Sequence, residues 1–161
     1  MEFHIRSYGH PDAALLNDQV QAEYRSRFGY DDFTALHPSH FEPPYGLFVV
    51  GYDAGEPVAS GGWRAQEYDG LGYADGDAEL KRMFVVARAR RRGLARRVLA
   101  ALEDSARDAG RVRMVLETGV MLPEAVTLYE SSGYRPTAPF GPFRAYEESR
   151  FYAKSLRPDA S

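Results

Sequence analysis

Apolar residues follow two rhythms along this chain. Over Leu94 to Ala109 they recur at three- and four-residue spacing, at Leu94, Ala95, Val98, Leu99, Leu102, Ala106 and Ala109. Arg96, Arg97, Glu103, Asp104, Arg107 and Asp108 fall largely on the opposite side, so the stretch predicts an amphipathic helix ending before Gly110. Pro11 to about Phe28 predicts another, with Leu15, Leu16, Val20 and Tyr24 on its buried side and Gly29 as its stop. Pro123 opens a shorter helix whose apolar positions are Ala125, Val126, Leu128 and Tyr129, stopped by Gly133.

The second rhythm is that of strands. Phe3 to Arg6 alternates as a short first strand, and Gly46–Tyr52 and Val58–Arg64 flank Asp53–Pro57 as an antiparallel hairpin. Ala78–Val86 and Val112–Leu116 are strands on either side of the long helix, hence a parallel pair joined by a right-handed crossover. Tyr134 and Ala145–Leu156 supply closing strands. Strict alternation fails in Ala78–Val86, because neither parity is purely apolar. A bulge near Arg82 would switch parity and group Leu80 with Met83 and Val85, and bulges often lie beside active sites.

Composition narrows the class. With 161 residues, 44% of them hydrophobic and 13% aromatic, the chain can bury a sizeable core and is expected to form one domain over 1–161. No apolar run approaches the roughly 20 residues of a membrane span, so no membrane partner is expected. There is no cysteine, which removes thiol nucleophiles, disulfides and thiolate metal sites. Together with an amino terminus unlike a secretory signal, this favours the cytoplasm. A net charge of −3 argues against a general nucleic-acid binder. His4, His10, His37 and His40 stand in no metal spacing, and Glu67, Asp69, Asp75, Asp77 and Glu79 read as a solvated hairpin end, so no metal is expected.

Chemistry enters at the turn before the long helix. A helix start offers unpaired N–H groups and the positive end of the macrodipole. Gly93 and Ala95 keep that end bare, and Arg90, Arg91, Arg92 and Arg96 add forked phosphate donors. Such a start suits a pyrophosphate. Arg90-Arg91-Arg92-Gly93-Leu94-Ala95 resembles the Arg/Gln-x-x-Gly-x-Gly/Ala turn of the GNAT (GCN5-related) N-acetyltransferases, and Glu79–Val86 looks like their acetyl-CoA-binding strand. Leu128-Tyr129-Glu130-Ser131-Ser132-Gly133-Tyr134 is similar to the family's Leu-Tyr-x-x-x-Gly-Phe/Tyr segment. The resemblance spans about Ala78 to Leu156.

The resemblance implies an α/β (mixed α+β) fold: a central twisted mixed sheet of about six to seven strands flanked by about four helices. It implies acetyl transfer from acetyl-CoA to an amine of a small molecule or peptide. Glu79 is then the candidate base, its alternative being a charge partner for Lys81 or an arginine. Tyr129 is the candidate donor to the departing sulfur, its alternative a core tyrosine with a satisfied hydroxyl. Cofactor contacts are expected from Met83, Phe84, Val85, Arg90, Arg91, Arg92, Gly93, Leu94, Ala95, Arg96 and Tyr129, with an N–H near Phe84 or Val85 facing the oxyanion. In the family the region matching Tyr30–Tyr45 overhangs the acceptor pocket, which makes Asp31, Asp32, Phe33 and Glu42 candidates for acceptor binding. Leu122 stands where members often carry a cofactor-contacting asparagine. Dimerisation is common in such enzymes and is an expectation here. The competing readings are a non-catalytic acyl-CoA sensor of the same fold and a nucleic-acid surface centred on Arg88–Arg97.

Overall fold

One seven-stranded sheet carries the molecule, in the order β1-β2-β3-β4-β5-β7-β6. Along the chain the elements are β1 (Glu2–Ile5), α1 (Pro11–Phe28), a 3-10 turn (Pro38–Phe41), β2 (Gly46–Asp53), β3 (Glu56–Gln66) and β4 (Asp77–Val85). A second 3-10 turn (Ala87–Ala89), α2 (Leu94–Asp108), β5 (Arg113–Gly119), α3 (Pro123–Ser131), β6 (Arg135–Pro136) and β7 (Ser149–Ser155) complete it. This computed structural model describes residues 1–157; the last four positions of the expected domain lie outside the described residues. The mixed α/β architecture agrees with the sequence, with three α-helices among the described residues rather than about four. Tyr30–Tyr45 yields only a 3-10 turn because its prolines interrupt any helical ladder.

All neighbouring strands are antiparallel except β4 and β5, which run parallel. Those two pair only at Asp77/Arg113, Ala78/Met114 and Glu79/Val115. Beyond that point they part, and the sheet opens as a wedge between the second half of β4 and the end of β5. β5 itself is longer than the sequence pattern indicated, continuing through Glu117, Thr118 and Gly119 as it pairs with β7.

The bulge falls where parity demanded it. Ser60 pairs with Phe84 and Gly62 with Lys81, so Gly61 faces both Arg82 and Met83, and Arg82 sits in the left-handed region at φ 59°. Gly61 is the residue this geometry needs. A Cβ there would lie 2.5 Å from Met83 Sδ and 3.0 Å from Val98, so only a bare backbone lets β4 and α2 close on each other.

Against the sheet, α2 buries Leu94, Val98, Leu99, Leu102 and Ala106. Glu103, assigned to its polar side, is also buried, because its carboxylate accepts from the Tyr134 hydroxyl at 2.7 Å and Lys154 Nζ at 3.0 Å. On α1 the buried stripe is Ala13, Leu16, Asn17 and Val20, and Leu15 is exposed because it lies one residue off that three-and-four spacing. The acidic connection before β4 is less solvated than expected. Asp77 is buried and receives Arg113 through two N–H groups at 2.9 Å each, and Tyr73 packs on Phe140.

Candidate active site

The wedge between β4 and β5 opens into a cavity of about 580 Å³, walled by α1 on one side and by the start of α2 and α3 on the other. Backbone on the β4 edge is unused by the sheet. Val86 N–H donates to Val58 of β3 at 2.9 Å, whereas the Val85 carbonyl is taken by Arg90 Nε at 3.0 Å. Alternate residues of a strand present their backbone groups to opposite edges, so Val85, and not Phe84, turns its N–H into the wedge.

At one end of the cavity the chain enters α2 through Gly93, whose φ of 75° is left-handed and whose missing Cβ faces open space. No side chain caps this helix. The first intrahelical donor is Arg97, to Gly93 O at 3.2 Å, which leaves the amides of Leu94, Ala95 and Arg96 without a partner among the described residues. That arrangement fits the diphosphate arm of coenzyme A. Gly93→Val should weaken acetyl-CoA binding by tenfold or more, about 1–2 kcal/mol of left-handed strain adding to a side chain over the amides. Calorimetry checks it, and an unaltered dissociation constant would place the diphosphate elsewhere.

Midway along the cavity lies a group of charges. Lys81 Nζ and Arg82 Nη1 both donate to Asp32 Oδ2, at 2.6 and 2.9 Å, and Arg82 is buried. Burial alone would raise the Asp32 carboxyl, but the two cations outweigh it and hold it at about 2. Glu117 shows the reverse balance. Burial pushes its carboxyl up to about 7, with the Asp32 and Glu79 charges adding to the rise and Lys81 opposing it. Ser149 donates its hydroxyl to Glu117 at 2.9 Å. Tyr129, buried on α3, lines the same space, and burial followed by the Glu117 charge raises its phenol above the usual value. Its hydroxyl makes no hydrogen bond among the described residues. Tyr24 of α1 faces the cavity too, its phenol raised by burial against the opposing Arg82 charge.

A parted parallel strand pair with a bare helix start beside it gives the cavity room and backbone donors for a phosphate-bearing ligand. Comparison with known proteins agrees: the model of the acetyltransferase (GNAT) family matches residues 13–134. The chain belongs to the GNAT family. It is accordingly an acetyl-CoA-dependent N-acetyltransferase. An Azospirillum brasilense protein named IAA acetyltransferase is 37% identical over 109 residues, covering 68% of this chain and 67% of that one. The Escherichia coli N-acetyltransferase YjgM is 32% identical over 130 residues, covering 77% and 75%. Among solved structures, a Klebsiella pneumoniae protein described as an acyl-CoA N-acyltransferase superposes with a TM-score of 0.79 at 24% identity over 97% of both chains. The Salmonella typhimurium acetyltransferase yncA, solved with acetyl-CoA, gives 0.72 at 17% identity, covering 100% of this chain and 98% of that one. These two show the shared GNAT fold.

Within that GNAT frame every expected cofactor contact lines the cavity except Arg92, which pairs with Asp53 on the outer surface at 3.0 Å. The other arginines differ among themselves: Arg90 bridges to Glu23 at 3.2 Å, Arg96 donates to Ser131 and Ser132, and Arg91 lines the cavity at a left-handed φ of 66°. Asp31 and Asp32 line the cavity as well. Phe33 is exposed and packs on Phe143, and Glu42 is exposed away from the cavity. Glu79 is not among the cavity residues. It lies where β4 and β5 are still paired, and its carboxylate accepts from Arg64 Nε at 2.8 Å, Gln66 Nε2 at 3.1 Å and the Tyr73 hydroxyl at 2.9 Å. The charge-partner alternative describes that environment, with Arg64 as the arginine. Glu117, Tyr24 and Ser149 did not figure in the sequence reading of the site, and Lys81 and Arg82 entered it only as a charge partner for Glu79 and as the bulge position. The available signal for Glu117 was an acidic residue closing an apolar strand, at the carboxyl end of a parallel pair where ligands collect.

Proposed function

We propose that this chain transfers the acetyl group of acetyl-CoA to a primary amine of a small molecule or peptide by direct attack within a ternary complex. Glu117 is the base in that reading, and Tyr129 serves the leaving sulfur. The observation that carries it is Glu117: a carboxylate held at about 7 by burial, facing the cavity within the same space as the unpaired amides of α2. Bound acetyl-CoA supplies a thioester carbonyl carbon for attack.

An acceptor amine of pKa near 10 arrives as an ammonium, and one proton must leave before its lone pair is available. A base whose pKa lies near the working pH is ionised often enough to take that proton and basic enough to keep it. Glu117 meets both conditions. Glu79 is spoken for by Arg64, Gln66 and Tyr73, so its part is to hold β3 and β4 together beneath the wedge. The Val85 N–H stabilises negative charge on the carbonyl oxygen as it develops. Nitrogen–carbon bond formation and carbon–sulfur cleavage then leave a thiolate whose conjugate acid has pKa near 8.5, below that of the Tyr129 phenol. Tyr129 therefore acts by donating a hydrogen bond to the sulfur; the second nitrogen proton, lost as the amide forms, passes through water to the thiolate, and the first, held on Glu117, is released to solvent.

Protein, acetyl-CoA and a panel of amines are incubated and free thiol is followed; acceptor-dependent release supports the reading, and absence of acetyl-CoA binding by calorimetry removes it. Tyr129→Phe should lower turnover on the order of a hundredfold with the acetyl-CoA dissociation constant nearly unchanged. Wild-type turnover in that variant would return Tyr129 to a packing role. Tight acetyl-CoA binding with no turnover on any amine would favour the sensor alternative.

A further inference from the structure

Beyond Glu117 the cavity ends in aromatic rings rather than in charge. Phe28, Tyr30 and Phe143 line it, Tyr30 and Phe143 lying nearly parallel at 16° with centroids 6.4 Å apart. Phe33 and Tyr146 back Phe143 at 4.6 and 5.1 Å. The Tyr30 hydroxyl is committed to Glu148, so what this residue presents to a ligand is the ring.

Charge at this end is already matched. Lys81 and Arg82 face Asp32, and with Glu117 ionised the four groups sum to zero. Asp31 is taken by Arg25 at 3.2 Å. A ligand bringing one ammonium can therefore use Glu117, but a second ammonium would meet either the two cations or the ring wall, where the Asp31 and Glu148 carboxylates are already engaged by Arg25 and the Tyr30 hydroxyl. An added carboxylate finds Lys81 and Arg82 already joined to Asp32. The aromatic faces, by contrast, offer stacking and broad apolar contact.

Resting on the transferase reading above, we propose that the acceptor is a monoamine carried on a short chain from an aromatic ring, its amino group at Glu117 and its ring packed against the wall formed by Phe28, Tyr30 and Phe143. Polyamines, aminoglycoside-like polycations and amino acids are poor acceptors. Phe143 is the residue that sets this preference.

Initial rates of thiol release are measured for the full chain at saturating acetyl-CoA with 2-phenylethylamine, n-butylamine, spermidine and an alanine-initiated tripeptide. The expected kcat/KM for 2-phenylethylamine exceeds each of the others by about tenfold or more. Phe143→Ala should raise the KM for 2-phenylethylamine about tenfold and that for n-butylamine far less, about twofold, with the acetyl-CoA dissociation constant nearly unchanged. Phe143→Leu keeps apolar bulk without the ring, and in it the aromatic advantage should also shrink; this covers the case in which the alanine variant folds poorly. Preference for spermidine or the tripeptide, or equal losses on every amine in the Phe143 variants, overturns the aromatic assignment and leaves acetyl transfer standing. No thiol release with any amine, despite acetyl-CoA binding, overturns both.

Discussion

Glu117→Gln lowers kcat/KM for the acceptor by about 10²–10⁴-fold and leaves acetyl-CoA affinity within about twofold of wild type. The amide keeps the shape of the carboxylate and an oxygen for the Ser149 hydroxyl, so the loss isolates proton removal from packing. In the wild type, kcat/KM rises with pH through about 7 as Glu117 ionises, and that limb is absent in the variant. Residual activity of the variant should instead climb with pH as free amine becomes available without a base. Glu79→Gln provides the contrast, because it breaks the ion pair with Arg64 and lowers stability but keeps the limb near pH 7. A profile that loses its limb in Glu79→Gln and keeps it in Glu117→Gln reverses the assignment.

The same substitution has an opposite effect on folding. A carboxyl whose folded value is raised holds its proton more tightly folded than unfolded between about 4.3 and 7, so stability falls as pH rises across that window. At pH 8 the ionised Glu117 costs at most about 4 kcal/mol, less once cavity water screens it. Glu117→Gln removes that cost and should melt several degrees higher than wild type at pH 8, with the difference vanishing near pH 4. Higher stability with lower activity is the mark of a site charge retained for chemistry.

Which parts of this were legible in the sequence follows from how local each determinant is. The α2 periodicity, the bare Gly93 entrance and the Arg82 bulge are written within a dozen residues, and each appears in the structure where the pattern put it. The proposed base was not local. Glu79 and Glu117 are both acids on neighbouring strands, and what separates them is that β4 and β5 pair at Glu79 and have parted by Glu117. No period along the chain reports where a strand pair opens. Asp32 was named as an acceptor contact from its place in the Tyr30–Tyr45 region. Its partners lie some fifty residues away on β4, and only the folded loop shows that it spends its charge on Lys81 and Arg82. Tyr24 was read as core by spacing because a cavity wall and a core have the same apolar period.

Asp32→Asn should be the most destabilising of the substitutions considered, costing about 3–5 kcal/mol and lowering the melting temperature on the order of 10 °C. Lys81 and Arg82 would be left as two desolvated cations within reach of one another, with Arg82 fixed by a left-handed bulge that cannot swing away. Removing one of them should recover part of the loss, so Asp32→Asn with Lys81→Met forms a cycle in which the double variant is more stable than the sum of the singles. Proton linkage gives an independent check. Because Asp32 is depressed to about 2, its contribution to stability is complete above the unfolded value near 3.9 and is lost as pH falls through 2. The acid side of the stability profile should therefore be flatter in Asp32→Asn. The change also reaches Glu117: with the Asp32 charge gone it loses one influence that raises its carboxyl and keeps the two that lower it, Lys81 and the Ser149 hydroxyl. The rate limb near pH 7 should shift to lower pH in whatever fraction of Asp32→Asn remains folded. A destabilised variant whose limb stays in place would make Asp32 a structural tie alone, and a variant as stable as wild type would show that the two cations find other company.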